Sequence, residues 1–466
     1  MIPSDTHQLP LPSSRAQTRD LPNDKDTSPH LGDGGCFSAM TSKDGRVLHF
    51  GEIVLPASKS ESNRALMMAA YGGFAPDFQN LSDSSDTRIL QQALRDIDGK
   101  KPVIDIADCG TAARFLTTFL ACREGRWLLT GTERMKQRPI QPLVEALLSL
   151  GAEIQYVEKE GFLPLQIVGN PISGGKACID MTQSSQFASS LLLAAPMFPQ
   201  GLELALFGSL NSLPYLDMTL ALMRHFGAEA ERIGRKVVVM SKPYQPTSFI
   251  IESDWTAASY WYEMAALSEE CEIRLRGHFD MLNAPKAKAP ELVEEPTPKL
   301  FLQGDAVIAE WMQAFGVQTF ESDNSLVLSK MPFEKKPLSF DFSNAPDLFP
   351  TIVATCAGLQ IEARFTGIAN LRVKESDRVG AMRTELAKIG TELNYLSDNE
   401  LVLVPAETLS VFEASSSLLF SSHGDHRIVM ALAPLAMKLG HVTFDFPIVV
   451  EKSYPSFWTE ASFLNF

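Results

Sequence analysis

Seven segments of the chain bring basic, hydroxyl-bearing and small residues to the threshold of an apolar helical stretch. They are 56–64 (PASKSESNR) before ALMMAAY, 108–111 (DCGT) before AARFLTTFLA, and 134–139 (RMKQRP) before 141–150. The others are 184–186 (SSQ) before FASSLLLAA, Ser212 and Tyr215 before 216–226, 372–378 (RVKESDR) before 380–389, and 425–427 (DHR) before IVMALAPLAMKLG. The start of a helix offers free backbone N–H groups and the positive end of its dipole, so it favours an anion. Lysine and arginine there add full charges, and the arginine fork matches carboxylate and phosphate oxygens two at a time. Ser60 or Ser62 is suited to cap the first of these helices, and Gly110 allows backbone to approach a ligand closely. Each segment alone reads as a helix cap or a solvated charged turn. Seven in one acidic chain point to small, multiply charged, oxygen-rich anions.

The elements that must present these loops follow from a repeat. Helical segments ending in a similar glycine phrase recur at 143–154 (LVEALLSLGAEI), 219–230 (TLALMRHFGAEA), 307–319 (VIAEWMQAFGVQT) and 382–393 (MRTELAKIGTEL). In each, apolar residues fall at helical spacing, glycine ends the helix and a β-like run follows. The steps between Gly151, Gly227, Gly316 and Gly390 are 76, 89 and 74 residues. The long step contains a Pro-, Lys- and Glu-rich stretch at 283–299 that reads as a surface insertion. A period of about 75 residues implies copies of one α/β supersecondary unit.

Composition sets the limits. The chain has 466 residues, 45% hydrophobic and 21% charged, enough for two or more domains with sizeable cores. A net charge of −15 argues against a general nucleic-acid or anionic-membrane surface. There is neither a GxxxxGK[ST] loop nor basic residues interleaved with aromatics. The six cysteines have no CxxC or paired spacing, which favours reduced thiols over disulfides or a zinc site. No apolar run reaches the roughly 18 residues of a spanning helix. The first residues lack a signal-peptide core, and a cytoplasmic location is expected. Residues 1–45, rich in Pro, Ser and Asp, are expected to be a disordered tail or a stretch upstream of a true start at Met40.

The segments LPASKSESNRALMMAA, CGTAARFLTTFLA, ERMKQRPIQPLVEAL, SSQFASSLLLAAP, SLPYLDMTLALM, NLRVKESDRVGAMRTEL and DHRIVMALAPLA occur in an order that resembles the 5-enolpyruvylshikimate-3-phosphate synthase family. The likeness runs from about residue 46 to the end, and SKSxSNRA with RVKESDR is its most specific pair. It implies a two-domain enolpyruvyl transferase fold, an inside-out α/β barrel of six βαβαββ-type units. One domain would be 57–252 and the other 46–56 plus 253–466, with ligands in the cleft between. It also implies the activity: transfer of the enolpyruvyl group of phosphoenolpyruvate to the 5-hydroxyl of shikimate 3-phosphate, with release of phosphate, on the route to chorismate.

By the same resemblance, Lys59, Ser60, Arg64, Ser184, Ser185, Gln186, Ser212, Tyr215, Asp347, Asn370 and Lys374 would hold shikimate 3-phosphate. Lys59, Gly110, Arg138, Gln186, Arg378, Arg427 and Lys452 would hold phosphoenolpyruvate, Lys452 being matched through VEKSYPSF. Asp347 would take the hydroxyl proton and Glu375 would deliver one to the methylene carbon, with Lys59 and Lys452 stabilising charge. Read alone, Asp347 is equally a helix cap and Glu375 an exposed first-turn acid. No metal and no cofactor is implied, the partners are the two small substrates, and a monomer is expected. The chain departs from the family pattern at Ala57, Asp108, Cys109 and Phe115, where glycine, Asn-Ala and proline are common. Asp108 matters most, because an ionised acid there would repel phosphoenolpyruvate unless a cation pairs with it. Two other readings remain: the sister enzyme that uses UDP-N-acetylglucosamine, which lacks SKSxSNRA and RVKESDR, and a catalytically inert anion-binding module.

Overall fold

The computed structural model describes residues 40–41, 47–279, 302–322 and 325–464. The proposed insertion at 283–299 and most of the expected tail lie outside these residues. Residues 40–41 are an exception: Met40–Thr41 is a short strand pairing antiparallel with Val47–Val54, so backbone pairing begins earlier than expected.

Six parallel strand pairs organise the described chain; four enclose a helical segment between their strands, and the other two join strands far apart in sequence. The first unit pairs Phe249–Ile250 with Phe78–Gln79 and carries helices α1 (Lys59–Gly72) and α2 (Ser85–Asp98). The second has strand order Val103–Asp105, Gly125–Thr130, Leu165–Gly169, Glu153–Tyr156, with α3 (Gly110–Ala121) and α4 (Gln141–Ser149). The third repeats that order with Gly175–Asp180, Leu202–Phe207, Lys236–Val239 and Ala230–Ile233, carrying α5 (Ser185–Ala194) and α6 (Leu213–His225). The fourth is spliced from the start of the chain, with Val47–Val54 beside Glu270–Arg276 and then the hairpin Val317–Ser322/Ser325–Lys330. Its helices are α7 (Trp255–Leu267) and the short α8 (Ile308–Trp311). The fifth has Leu338–Asp341, Ala363–Thr366, Glu400–Val404 and Glu392–Ser397 with α9 (Phe349–Leu359) and α10 (Arg378–Ala387). The sixth pairs Leu418–Phe420 with Val442–Phe444 around α11 (His426–Leu432). Four units thus have the expected hairpin, and the first and sixth are reduced to the parallel pair among the described residues.

The four repeat glycines occupy one equivalent place, the end of the second helix before the hairpin. All have positive φ, +91° at Gly151, +85° at Gly227, +79° at Gly316 and +77° at Gly390. That left-handed turn is open to glycine at little steric cost, which is why the phrase is repeated.

The helices sit inside and the sheets outside. Every residue of α3, α7, α9 and α11 is buried, and their small Ala, Thr, Gly and Ser positions allow close packing. Thr118 and Ser190, for example, bond across α3 and α5 at 2.6 Å. The strands alternate instead, as in Leu165–Gly169 and Glu270–Arg276, which suits one face on the core and one in water. Two buried apolar clusters result. One draws on residues between Ala57 and Ile251, the other on Ile53, Leu55 and residues from Trp255 to Leu464.

The chain passes between the clusters twice, and the passages pair at Ala57 and Ser253 in an antiparallel bridge. Ser58 N donates to Glu252 O and Asp254 N to Pro56 O, both at 2.8 Å. The sequence Ser58-x-x-Glu61 has the form of a capping box. Here Ser58 caps α1, in place of Ser60 or Ser62, while the Glu61 carboxyl accepts from Glu252 N at 3.0 Å. Buried Gln303 donates to Glu61 at 2.9 Å and to Ser253 O at 2.8 Å, and its oxygen accepts from Trp255 N at 3.0 Å. Burial, reinforced by Glu252, pushes the Glu61 carboxyl well above its ordinary range. One amide therefore ties both passages together. Gln303→Leu is expected to destabilise the protein by about 3 kcal/mol, since buried groups losing their partners cost roughly 1–3 kcal/mol each. Urea unfolding measures this, and an unchanged midpoint would mean that the crossing is held by other contacts.

Candidate active site

The starts of the helices converge on one cleft between the two cores. Lys59 and Ser60 stand in the first turn of α1, Gly110 opens α3, and Ser184 caps α5, which begins with Ser185 and Gln186. Ser212 precedes α6 in the left-handed region at φ +59°, a strained conformation for a serine, and Tyr215 follows in that helix. Arg138 ends a 3-10 turn before α4. From the other side come Asp347 in the turn before α9, then Asn370, Lys374 and Glu375 in the segment leading to α10. Arg378 opens α10, and Arg427 lies in the first turn of α11. All of these line a single cleft enclosing roughly 850 Å³, part of it open to solvent.

Two residues expected at the site do not line it. The Arg64 guanidinium is buried in the first core. It donates to Ser60 O at 2.9 Å, Thr219 Oγ1 at 2.8 Å, Tyr215 O at 3.3 Å and Ser189 Oγ at 3.4 Å. It thereby holds the backbone of two cleft residues in place. Lys452 lies beside the cleft, buried between two carboxylates described below.

Charge compensation dominates the geometry. Arg378 spreads its three nitrogens over three acids: Nε to Asp425 Oδ2 at 2.9 Å, Nη1 to Asp347 Oδ1 at 2.7 Å, and Nη2 to Glu375 Oε2 at 2.9 Å. Asp347 also accepts from Arg427 Nη2 at 2.8 Å and Tyr215 Oη at 2.9 Å, with Lys374 Nζ at 4.0 Å. Burial opposes its charge, but Arg427, Lys374 and Arg378 outweigh that and hold the carboxyl far below the ordinary range. Asp347 is therefore an ion-paired carboxylate in a turn, not a helix cap. Glu375 is not an exposed first-turn acid either. It lies 3.7 Å from Arg138, and against the cost of burial Arg138 and Arg378 keep it well below the usual value. Asp305, nearby, goes the other way: burial and the Asp347 charge push it up to about 7.

Several contacts span the cleft. Tyr215–Asp347 and Arg138–Glu375 do so, as does Arg134 Nε to Glu375 O at 3.0 Å. Lys452 reaches Asp86 Oδ1 at 3.1 Å and Asp108 Oδ2 at 2.6 Å, while Asp86 Oδ2 holds Lys59 at 3.0 Å. The acid at 108 thus has its cation. Asp86 was missed in the sequence. Its signal was another loop-to-helix phrase, Ser84-Ser85-Asp86, whose single acid looks like a first-turn residue. Buried Arg114 was also missed, while Asp425 and His426 were picked out within the 425–427 segment but given no role; Arg114 and His426 line the cleft. Burial, with Lys59 and Arg427 close by, drives the His426 imidazole well below its ordinary value, so it is neutral.

The departures from the family pattern are absorbed locally. Cys109 caps α3 through Sγ, accepting from Ala112 N at 3.4 Å, and burial raises its thiol to about 12, far from a reactive thiolate. Phe115 is buried beneath the Arg64 guanidinium, 5.6 Å from ring centre to Cζ. A Cβ at Gly110 would meet the guanidinium groups of Arg114 and Arg138, which would have to shift, so glycine leaves those two cations room at the start of α3.

Comparison with known proteins identifies the family and the fold. A family model described as EPSP synthase (3-phosphoshikimate 1-carboxyvinyltransferase) matches residues 97–460. A 3-phosphoshikimate 1-carboxyvinyltransferase of Bacteroides fragilis (strain YCH46) is 41% identical over 409 residues, covering 88% of this chain and 93% of its own. One from Pasteurella multocida (strain Pm70) is 33% identical over 440 residues, covering 88% and 94%. In fold, the chain is similar to an EPSP synthase from Acinetobacter baumannii, with a TM-score of 0.67 at 21% identity over 92% of this chain and 98% of that one. The chain belongs to the EPSP synthase family, 3-phosphoshikimate 1-carboxyvinyltransferases of two-domain α/β fold.

Proposed function

We infer that the cleft is where this enzyme transfers the enolpyruvyl group of phosphoenolpyruvate to the 5-hydroxyl of shikimate 3-phosphate. The observation that carries the assignment is the lining itself. Lys59, Arg114, Arg138, Lys374, Arg378 and Arg427 face Asp86, Asp347 and Glu375, a local excess of positive charge in an acidic protein. Two substrates with several negative charges between them repel each other, so their meeting requires such an excess.

On this reading Ser60, Ser184, Ser185, Gln186, Ser212, Tyr215, Asn370 and Lys374 receive shikimate 3-phosphate. Asn370 supports it with a buried Oδ1 that no protein group satisfies. Arg64 acts through Ser60 and Tyr215, whose backbone it fixes. Lys59, Gly110, Arg138, Gln186, Arg378, Arg427 and Lys452 receive phosphoenolpyruvate.

In the addition step the 5-oxygen bonds to C2 of phosphoenolpyruvate, the hydroxyl proton passes to Asp347, and C3 gains a proton from Glu375. The product is a tetrahedral ketal phosphate. Elimination breaks the C2–O bond to phosphate, which leaves with the proton held by Asp347, and returns a C3 proton to Glu375, restoring the double bond and the starting charge of both acids. Asp347 and Glu375 are too acidic for these tasks while the arginines hold them. Substrate carboxylate and phosphate would engage those same arginines, leaving each acid less stabilised and raising its pKa toward a useful value.

We further propose that 57–252 is one domain and 46–56 plus 253–466 the other, in keeping with the two separate cores. A cytoplasmic monomer is the simplest working state, since one chain supplies the whole cleft and no described helix is long and apolar enough to cross a membrane.

The deciding measurement is phosphate release from phosphoenolpyruvate. It is expected with shikimate 3-phosphate and not with UDP-N-acetylglucosamine as acceptor, and no release with the former would overturn the assignment. Lys59→Ala and Arg138→Ala are each expected to lose at least about a hundredfold in kcat/KM, as removal of one preorganised donor does. Their thermal midpoints should stay close to that of the parent. Near-normal turnover in either variant would remove that residue from the site.

A further inference from the structure

An ammonium group has three donors and no acceptor, and Lys452 spends two of them on one residue, Asp108, through Oδ2 at 2.6 Å and the main-chain oxygen at 3.1 Å. Asp86 Oδ1 lies 3.1 Å away as an ion-pair partner without a hydrogen bond. Burial works against the charge, yet Asp86 and Asp108 raise the Lys452 pKa well above the ordinary lysine range. In the empty cleft the charge of Lys452 is therefore compensated from two sides, by Asp86 and by Asp108.

The three oxygens around Lys452 are not equally releasable. Asp86 is 4% exposed and its second oxygen already holds Lys59, so its carboxylate cannot turn to water. The Asp108 carbonyl is fixed by its neighbour. Ala107 takes the left-handed conformation at φ +48°, its N–H bonded to Asp105 Oδ1 at 2.8 Å and its oxygen accepting from Thr132 N at 2.9 Å. A non-glycine residue held there stores strain for a purpose, here the aim of the next residue. The Asp108 side chain is 50% exposed, so water can hydrate it when it leaves Lys452.

We propose that the Asp108 carboxylate is a built-in substitute for the phosphate of phosphoenolpyruvate: it neutralises Lys452 in the empty cleft, competes with the substrate for that ammonium, and so weakens the apparent affinity for phosphoenolpyruvate. This rests on the reading of Lys452 as a ligand of that substrate. A dianion wins the exchange because it carries more charge and meets Lys59 as well as Lys452. Once displaced, Asp108 still lies close enough to repel the bound phosphate. Closure of the cleft does not depend on it, since Asp86–Lys452 and Tyr215–Asp347 bridge the same gap.

The test is Asp108→Asn, which keeps the size of the side chain and the main-chain contact while removing the charge. The KM for phosphoenolpyruvate should fall roughly two- to fivefold, the scale of a half-exposed ion pair. The KM for shikimate 3-phosphate should not change, and the inhibition constant of inorganic phosphate against phosphoenolpyruvate should fall by the same factor. Asp108→Ala should shift both in the same direction, and a thermal midpoint near that of the parent confirms that each variant is folded. An unchanged or higher KM for phosphoenolpyruvate in a folded Asp108→Asn enzyme overturns the proposal. If the parent enzyme itself releases no phosphate, the functional reading fails, yet the displacement can still be read by calorimetry with inorganic phosphate. Tighter binding to Asp108→Asn than to the parent would support it, and equal binding would refute it.

Discussion

Cationic side chains gathered in a water-poor cleft repel one another, and each buried charge without a partner costs on the order of several kcal/mol. The empty protein must satisfy this before any substrate arrives. It does so by drawing carboxylates from separate elements: Asp86 from α2, Asp347 from the turn before α9, Glu375 from the segment before α10, and Asp425 from the start of α11. Arg378 shows how far this goes, with all three nitrogens on acids and a side chain 1% exposed. Contacts made by these acids also bridge the two cores. Tyr215, Arg138 and Asp86 on one side have their partners Asp347, Glu375 and Lys452 on the other.

The fold makes this meeting possible by placing its helices inside. A helix wrapped by sheet on the outside can turn its N-terminus inward, where its dipole adds to the positive field. The same first-turn positions then serve two purposes. Asp425 caps α11 by accepting from Arg427 N at 3.0 Å, and its second oxygen holds Ser376 and Arg378. Ser58 caps α1 beside Lys59, at the point where the chain crosses between cores. The crossing, the helix start and the charge are set by a few consecutive residues, which explains why 56–64 is so dense in signal.

That density also decides what could be read from sequence. The repeat was visible because each unit needs a left-handed turn after its second helix, and glycine marks it at 151, 227, 316 and 390. The basic loops were visible because lysine and arginine are conspicuous in an acidic chain. Their counter-ions were not. Asp86 and Asp425 look like ordinary first-turn or capping acids, and nothing local shows that Asp86 meets Lys452, 366 positions further along. Pairing across the cleft is a tertiary fact. The place of Arg64 was hidden for a similar reason, since a charged residue opening an amphipathic helix gives no sign that it will be enclosed by Thr219, Ser189 and Tyr215 from distant segments.

The counter-ions differ in what substrate can do to them. Asp425 is fully buried and bound to three groups, including a backbone N–H, so an incoming anion cannot replace it, and it keeps Arg378 oriented throughout. Asp347 and Glu375 are partly exposed and depend almost wholly on side-chain cations for their low pKa. A substrate anion that takes those cations acts on the acids at once, because the stabilisation that it gains is the stabilisation that they lose. On the proposed roles of Asp347 and Glu375, the site would have no need of a base that is strong in the empty enzyme, where a strong base would simply be protonated by water. Proton-transfer power would then be created by the binding of the reactants, and both acids would be released together only when both anions are in place.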